Sequence, residues 1–162
     1  MQKVFGGDRA QLDREVEASL GSSGQQDSTK TFGKTVRYPV GTVAWVRRGS
    51  ARYFLIAFTR MSSSLPANVE SSITDLQIAL AAAWAAVRTS GQQEPVHVPI
   101  LGLRLARLDL SRTLLIQLIV LSFIAGTRQG GPPRMTIWIR KEDAQMVDMP
   151  VLKEWLRGLC AA

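Results

Sequence analysis

The chain has 162 residues, of which 46% are hydrophobic and 20% are charged, so it is long enough for one packed core and too short for two ordinary domains. Its 20 Lys and Arg residues against 13 Asp and Glu residues give a formal net charge of +7, which favours anionic partners, whether nucleotides, nucleic acids or acidic lipid surfaces. The longest nearly continuous apolar stretch, residues 114–125, falls short of the about 18 residues that span a bilayer, and the first residues lack the apolar segment of a secretory signal. The single cysteine, Cys160, excludes an internal disulfide, so we expect a cytoplasmic domain.

The N-terminal part of the chain predicts a peripheral helix followed by a loop. Asp8 can cap a helix over residues 8–20 that carries only a narrow apolar stripe, and Gly21 ends it. Residues 21–31 are polar and rich in Gly, Ser and Gln, without periodicity. That composition predicts a mobile loop.

Three segments rich in Val, Tyr, Trp, Phe and Ile predict strands at residues 36–40, 42–47 and 51–59. Residues 48–50, with the sequence Arg-Gly-Ser, predict a hairpin turn between the last two strands. Residues 53–58 are apolar on both faces, which is typical of a central strand covered by helices.

The middle of the chain predicts a helix, a strand and a second helix. The first helix is capped at Ser71 or Ser72. Apolar residues at helical spacing mark its buried face, namely Ile73, Leu76, Leu80, Ala83, Trp84 and Val87. Residues 96–101 form a short apolar strand, and a helix that is apolar nearly all round begins near Asp109 or Ser111. Such a helix must be buried or form an interface.

The C-terminal part predicts one more strand and one more helix. Residues 134–140 alternate apolar and polar side chains after a Gly-Gly-Pro-Pro turn, and Pro150 lies in the first turn of the last helix. Strands that alternate with helices indicate an α/β protein with a mixed or parallel sheet. We divide the chain into an N-terminal helix and flexible linker, residues 1–35, and a main domain, residues 36–162.

Two loops follow predicted strands at their carboxyl ends, where α/β proteins bind ligands. Residues 59–64 follow the predicted central strand, and residues 101–107 follow the next strand along the chain. The second loop has Gly102 for close backbone approach and Arg104 and Arg107 for charge. One glycine and two arginines also suit a surface turn, and residue chemistry alone favours that interpretation. Both glycine-rich nucleotide fingerprints are absent from the sequence, which disfavours a Rossmann enzyme or a P-loop ATPase.

The polar residues that could carry catalysis are few. His97, the only histidine, alternates with apolar residues of a predicted strand, so a structural role is favoured over a catalytic base. With one histidine and one cysteine, we expect no metal site. Glu142, Asp143 and Asp148 follow the last strand, where a carboxylate could read a ribose, but a solvated loop is favoured.

The tryptophans bear on nucleic-acid binding, which uses basic surfaces interleaved with aromatic rings. Trp84, Trp138 and Trp155 fall on predicted helices and strands and are expected to pack in or beside the core, whereas Trp45 could be buried or exposed. The aromatic rings are therefore expected on apolar faces, away from the basic loops. Nucleic-acid binding is disfavoured on this ground.

Several segments, taken in order, carry a family resemblance. They are Tyr38-Pro39-Val40-Gly41-Thr42-Val43, Tyr53-Phe54-Leu55-Ile56-Ala57-Phe58-Thr59, Ala79-Leu80 with Trp84, Val98-Pro99-Ile100-Leu101-Gly102, Ala106-Arg107-Leu108, Leu121-Ser122-Phe123, and Leu152-Lys153 with Trp155-Leu156. Together they resemble the macro-like domain of Thoeris anti-phage effectors, over roughly residues 36–160. The resemblance implies a macro-like three-layer α/β fold, in which helices flank a mixed central sheet.

The resemblance also implies the ligand and its binding residues. The ligand is ADP-ribose or an ADP-ribose-derived dinucleotide, without a further cofactor or a metal. An early loop that reaches the adenine and two phosphate loops would bind it, and their residues here are Gly41, Thr42, Val43, Thr59, Arg60, Met61, Ser62, Leu101, Gly102, Leu103, Arg104, Leu105, Ala106 and Arg107. Because Gly102-Leu103-Arg104 stands where the family has Gly-Thr-Gly, we expect charge-assisted recognition of the phosphates.

The resemblance finally implies a role in signalling. A partner TIR-domain protein would make the nucleotide signal upon infection, and its binding would drive assembly of a homo-oligomeric effector. Membrane attachment, as in a bacterial inner-membrane protein, would come only through segments outside this chain. We therefore expect a non-enzymatic sensor. An ADP-ribosyl hydrolase is the alternative, disfavoured because Thr59-Arg60-Met61 replaces the asparagines of such hydrolases, and a basic nucleic-acid-binding domain comes third.

Overall fold

The computed structural model describes residues 9–30, 34–61, 69–101, 108–128 and 130–160. Within these ranges six strands follow the first helix, and helices alternate with strands after them. Within these ranges the helices are α1 (Arg9–Leu20), α2 (Ile73–Ser90), α3 (Arg112–Thr127), α4 (Lys141–Ala144) and α5 (Met149–Cys160). The strands are β1 (Gln25–Gln26), β2 (Val36–Arg37), β3 (Val43–Arg48), β4 (Ala51–Ile56), β5 (Arg60–Met61), β6 (Val69–Glu70), β7 (Val96–Pro99) and β8 (Met135–Trp138). The predicted α/β class is confirmed.

The strands pair two by two in the described part of the chain. The pairs β1–β2, β3–β4 and β5–β6 are antiparallel, and β7–β8 is parallel. Among the described residues β4 pairs with β3 alone. The prediction that residues 53–58 form the middle of a sheet is therefore wrong, and these residues are half-buried, as suits a two-stranded pair rather than a strand covered on both faces.

The β3–β4 hairpin turns through Gly49, as predicted. Arg48 lies opposite Ala51 in the register, and Gly49 has a φ of +58°, a left-handed conformation that glycine adopts without steric cost. Ala44 and Val46 on the inner face of β3 are buried. The hairpin thus presents one apolar face to the rest of the fold.

Helix α1 lies against the outer edge of β3. The hydroxyl of Ser19 accepts a hydrogen bond from the backbone N–H of Trp45 at 2.9 Å, and the guanidinium of Arg48 pairs with the carboxylate of Glu15. None of the helix residues is buried, and Gly21, with a φ of +56°, follows its end. The predicted peripheral helix is confirmed, and it covers a strand edge that would otherwise be open to pairing.

The segment predicted as a loop, residues 21–31, contains a strand. Gln25 lies opposite Arg37 in the β1–β2 pair, and the N–H of Asp27 donates to the carbonyl of Thr35 at 2.8 Å, which extends the pairing. The prediction of a loop throughout is wrong here. Polar side chains give little strand signal, whereas the pairing depends on backbone groups about ten residues away.

Helix α2 forms the centre of the core. Its buried residues are Asp75, Leu76, Ala79, Leu80, Ala83, Trp84 and Val87. The predicted buried face is confirmed except for Ile73, which is 45% exposed. Ser72 is the N-cap, so one of the two predicted caps is confirmed.

The contact between α2 and α3 is close. The indole Nε1 of Trp84 donates to the hydroxyl of Ser122 at 2.9 Å, and its ring packs edge-on against Phe123 with 5.3 Å between centroids. A Cβ added at Gly126 would lie 2.7 Å from the Cβ of Trp84. A larger residue at this glycine would force the two helices apart.

Helix α3 connects the parallel strands β7 and β8 and begins after the N-cap Ser111, as predicted. Leu115, Ile116 and Ile119 are buried. Three further apolar residues of α3 are between 38% and 44% exposed, namely Leu114, Leu121 and Ile124. The apolar sequence of α3 therefore gives burial on one side only.

Helix α5 closes the described part of the chain against α3. Asp148 caps it, since its carboxylate accepts the N–H of Val151 at 3.0 Å, and Pro150 lies in the first turn, as predicted. Leu152 is buried and Trp155 is half-buried. Among the described residues, no helix combines the length and the hydropathy required to cross a bilayer.

Candidate functional site

The first predicted phosphate loop begins in a short hairpin. Strand β5 holds Arg60 and Met61, which lie opposite Glu70 and Val69 of β6. Residues 62–64 of that loop lie outside the described residues, as do residues 65–68. The segment that contains the loop is thus closed by the β5–β6 pairing directly before α2.

Arg60 is held by a buried carboxylate of α2. Its Nη1 and Nη2 donate to Oδ2 and Oδ1 of Asp75 at 2.9 and 2.6 Å. The side chain of Asp75 is 3% exposed and that of Arg60 is 58% exposed. A bidentate pair of this kind orients the guanidinium plane. The two Nη atoms of Arg60 are therefore held by Asp75, while the rest of the side chain faces solvent.

Asp75 is also part of the N-terminal cap of α2. Its carboxylate accepts the backbone N–H and the hydroxyl of Ser72, each at 2.9 Å, and its own N–H donates to the Ser72 hydroxyl at 3.1 Å. Burial by itself would raise the pKa of the Asp75 carboxyl, but the hydrogen bonds from Ser72 and Arg60 outweigh it and lower the pKa. Asp75 is therefore a carboxylate that links the first loop to the start of α2.

The sequence interpretation did not single out Asp75. The signal was present as Ser72-x-x-Asp75, the spacing of a capping box. That spacing predicts the cap, but it gives no indication that Arg60 would join it.

The early loop, Gly41-Thr42-Val43, lies at the same end of the β3–β4 hairpin as the first phosphate loop. The N–H of Gly41 donates to the carbonyl of Ala57, and the N–H of Ala57 donates to the carbonyl of Thr42, both at 2.8 Å. Val43 then begins β3 opposite Ile56. The structure thus brings this loop close to Ala57, although the N–H of Gly41 is already bonded to Ala57 and that of Thr42 to the carbonyl of Pro39.

Gly41 also packs against α2. Its φ is +89°, and an added Cβ would lie 2.9 Å from a methyl carbon of Ile78. Only glycine combines this conformation with so close an approach. The early loop is therefore anchored on the same helix that carries Asp75.

The second predicted phosphate loop lies almost wholly outside the described residues. Of its members only Leu101 is described, and the others are Gly102, Leu103, Arg104, Leu105, Ala106 and Arg107. Leu101 and Leu108, at its two ends, pack against the same core cluster as Phe58, which precedes the first loop. The residues flanking both predicted loops thus share one core.

The residues after the second loop anchor the start of α3. The N–H of Leu114 donates to the Ser111 hydroxyl at 3.1 Å. Arg112 pairs with Asp143 at 3.4 Å, and the hydroxyl of the buried Thr113 accepts the N–H of Asp148 at 2.9 Å. The prediction that the acids after β8 form a solvated loop is wrong for Asp143, which lies on α4 and pairs with Arg112. Asp148 is exposed and lies between α4 and α5, as predicted.

His97 and Trp138 contact each other on the β7–β8 pair. The indole Nε1 of Trp138 donates to Nδ1 of His97 at 3.0 Å. His97 thus has a hydrogen-bond partner, as a structural histidine should. Trp138, however, is 64% exposed, so the prediction that it packs in or beside the core is wrong. The described residues contain no group of His, Cys, Asp and Glu that could hold a metal ion.

Two cavities of the described part lie away from the predicted loops. One of about 270 Å³ is lined by residues of α1 and β2, such as Val16 and Val36. The other, of about 380 Å³, lies between α2 and α3 and is lined by Ala81, Ala125 and Gly126 among others. Neither is lined by a predicted ligand-binding residue, so the loops at the strand ends remain the candidate site.

Comparison with models of protein families gives a match. The model of the family described as "Thoeris protein ThsA, Macro domain" matches residues 1–140. No curated protein matches the chain. The match agrees with the resemblance drawn from the sequence and with a macro-like α/β fold. It takes in the N-terminal helix and linker as well as all three predicted loops, and it ends directly before α4.

Proposed function

This chain belongs to the macro-domain family of the Thoeris protein ThsA, and we propose that it is the non-enzymatic sensor domain of an anti-phage defence effector. Membership in this family supports a defence-related role in which the domain binds an ADP-ribose-derived ligand. The finer proposal is that the ligand is a nucleotide signal made by a TIR-domain partner. Its binding changes the assembly state of a homo-oligomeric effector.

The geometry around Arg60 carries the proposal. Strand β5 ends in the predicted first phosphate loop, and Asp75 holds the Arg60 guanidinium there at its Nη edge. Because 58% of the Arg60 side chain is exposed, it retains N–H donors for a phosphate oxygen. Charge-assisted bonds from a pre-oriented guanidinium are the strong form of phosphate recognition.

The ligand is placed between the early loop and the two phosphate loops. Gly41 is hydrogen-bonded to Ala57, three residues before Arg60, which supports one continuous surface for adenine and phosphate. The second phosphate loop would add the charges of Arg104 and Arg107. These two arginines are proposed from the sequence and from the family resemblance.

The test is calorimetric titration of the chain with ADP-ribose and related products of TIR-domain enzymes. We expect saturable heat with at least one of them, and Arg60→Gln should weaken that binding by about ten- to hundredfold, since a hydrogen bond to a charged group contributes about 1.5–3 kcal/mol. Arg157→Gln is the matched control, because Arg157 lies on α5 and pairs with Glu154. The control should bind like the unmodified chain.

Several outcomes would contradict the proposal. One is the absence of heat and of any thermal shift with every ligand tested. Equal weakening by Arg60→Gln and Arg157→Gln would remove Arg60 from the site. Release of ADP-ribose from an ADP-ribosylated protein would show a hydrolase instead of a sensor.

A further inference from the structure

The β7–β8 pair has a face that points away from the core. Val96 and Val98 of β7 pack against the core cluster, as do Met135, Ile137 and Ile139 in and after β8. Because side chains alternate between the two faces of a strand, the intervening residues lie on the opposite face. Within the strands they are His97 and Pro99 of β7 and Thr136 and Trp138 of β8. Pro95, Arg134 and Arg140 continue the same alternation just outside the strands. We call these seven residues the outer face.

Trp138 is the most exposed large hydrophobic residue among the described ones, at 64%. Its ring is nevertheless held in place, since Nε1 donates to Nδ1 of His97 at 3.0 Å and the ring centroids lie 6.1 Å apart. With its only donor engaged, the indole presents its π surface to solvent. A fixed, exposed aromatic plane is a platform on which a base can stack.

Positive charge flanks this platform. Arg134 and Arg140 are exposed, and no acidic residue lies among the seven residues of the outer face. Arg134 directly precedes β8 and Arg140 lies two residues past its end, so at a rise of about 3.3 Å per residue an extended chain separates them by at most roughly 20 Å. Trp138 lies between them in the sequence.

We propose that the outer face binds single-stranded nucleic acid, a function beyond the proposed nucleotide sensing. A base stacks on Trp138, and backbone phosphates contact Arg134 and Arg140. The span of the arginines suits several nucleotides of an extended strand better than a single nucleotide. Nucleic acid was disfavoured because the aromatic rings were expected on apolar faces, away from basic residues, and the exposure of Trp138 near Arg134 and Arg140 removes that reason.

An exposed aromatic residue flanked by two basic ones favours this partner over a protein. Stacking is tolerant of sequence because every base has a π face, and arginines follow the backbone charge. An acidic protein surface would satisfy the arginines but would leave the exposed indole without a matching plane. A strand of nucleic acid uses both features.

The experiment is fluorescence anisotropy with a labelled 12-nucleotide oligothymidine, titrated with the chain at low and at moderate salt. Trp138→Ala should weaken binding by about 5- to 150-fold, the equivalent of about 1–3 kcal/mol for one stacked base. Trp45→Ala is its control, because Trp45 is also exposed, at 43%, but lies on β3. That control should bind like the unmodified chain.

A second pair of variants tests the charges. Arg134→Gln combined with Arg140→Gln should weaken binding and should lower the slope of log affinity against log salt by about 1.4, or about 0.7 for each phosphate that is no longer neutralised. Lys153→Gln combined with Arg157→Gln removes the same charge from exposed positions on α5. This control should leave the slope within error of that of the unmodified chain.

The proposal is overturned if the oligonucleotide does not bind, or if each control weakens binding as much as its partner variant. In the second case the net charge of the chain, and not the outer face, would account for binding. It is also overturned if an excess of ADP-ribose displaces the oligonucleotide, because the outer face would then belong to the nucleotide site. Arg60→Gln should retain oligonucleotide binding, so a failure of the sensor proposal and a failure of this one are distinguishable.

Discussion

Two parts of this molecule are held together by different forces. Between α2 and α3, Trp84 is buried against Phe123 and Ser122, and Leu76, Leu80, Leu115 and Ile119 are at most 1% exposed. The N-terminal segment, consisting of α1, β1 and β2, has no buried residue and is held by polar contacts, among them the pair between Lys34 and Glu17 at 3.1 Å.

Most of the stability of the fold should reside in the first of these two parts. Removing apolar surface from water contributes far more than exposed ion pairs, whose charges are screened by solvent. We therefore expect the α2–α3 region to determine the free energy of unfolding. The N-terminal segment should influence it little.

The largest effect is expected from Trp84→Ala. Truncation of a buried tryptophan leaves a cavity and should lower the free energy of unfolding by about 3–5 kcal/mol. Urea denaturation measures this. Trp84→Phe keeps most of the volume but loses the hydrogen bond to Ser122, so it should cost clearly less. Equal stability of Trp84→Ala and the unmodified chain would mean that the α2–α3 contact is not the main source of stability.

An intermediate effect is expected from Asp75→Asn, at the boundary between the core and the candidate site. Loss of the charged cap should cost about 1 kcal/mol, which lowers the Tm by about 2–4 °C in a chain of this size. Asp143→Asn is the comparison variant, because it removes the ion pair with Arg112 instead. It should leave the amide hydrogen exchange rates at the start of α2 unchanged.

The Asp75 effect should depend on pH in a defined direction. The pKa of the folded carboxyl is lowered from 3.8, so its contribution is complete above that value and is lost as the pH falls through the lower folded pKa. The difference in unfolding free energy between the unmodified chain and Asp75→Asn should be constant from pH 5 to pH 7 and should shrink below about pH 4. A difference that grows on acidification would contradict the lowered pKa.

The smallest effect is expected from Arg48→Gln in the N-terminal segment. The hydrogen bond from Arg48 is the main cause that lowers the pKa of Glu15, so the variant should raise that pKa, as NMR titration would show. Any change in Tm should be smaller than for Asp75→Asn and should disappear at high salt. Arg9→Gln, at the start of the same helix, is the control. A large, salt-independent loss in Tm for Arg48→Gln would break the contrast between the two regions.

Local chemistry in the sequence determined much of the secondary structure. Ser72 and Ser111 predicted the starts of α2 and α3, and Pro150 predicted the first turn of α5; all three are confirmed. Gly49 likewise predicted the hairpin turn. These features depend on residues two to four positions apart, so they can be predicted without knowledge of the fold.

The tertiary structure decided what depends on residues far apart in the chain. Arg60 and Asp75 are 15 residues apart, and His97 and Trp138 are 41 apart. An alternating strand pattern predicted that Trp138 lies on one face of β8, but only packing shows that this face is open. The family and the α/β class therefore followed from the order of segments in the sequence. The orientation of Arg60 followed from the β5–β6 pairing, which brings it beside Asp75 at the start of α2. The exposure of Trp138 followed from the packing of the other face of β8 against the core, because side chains alternate between the two faces of a strand.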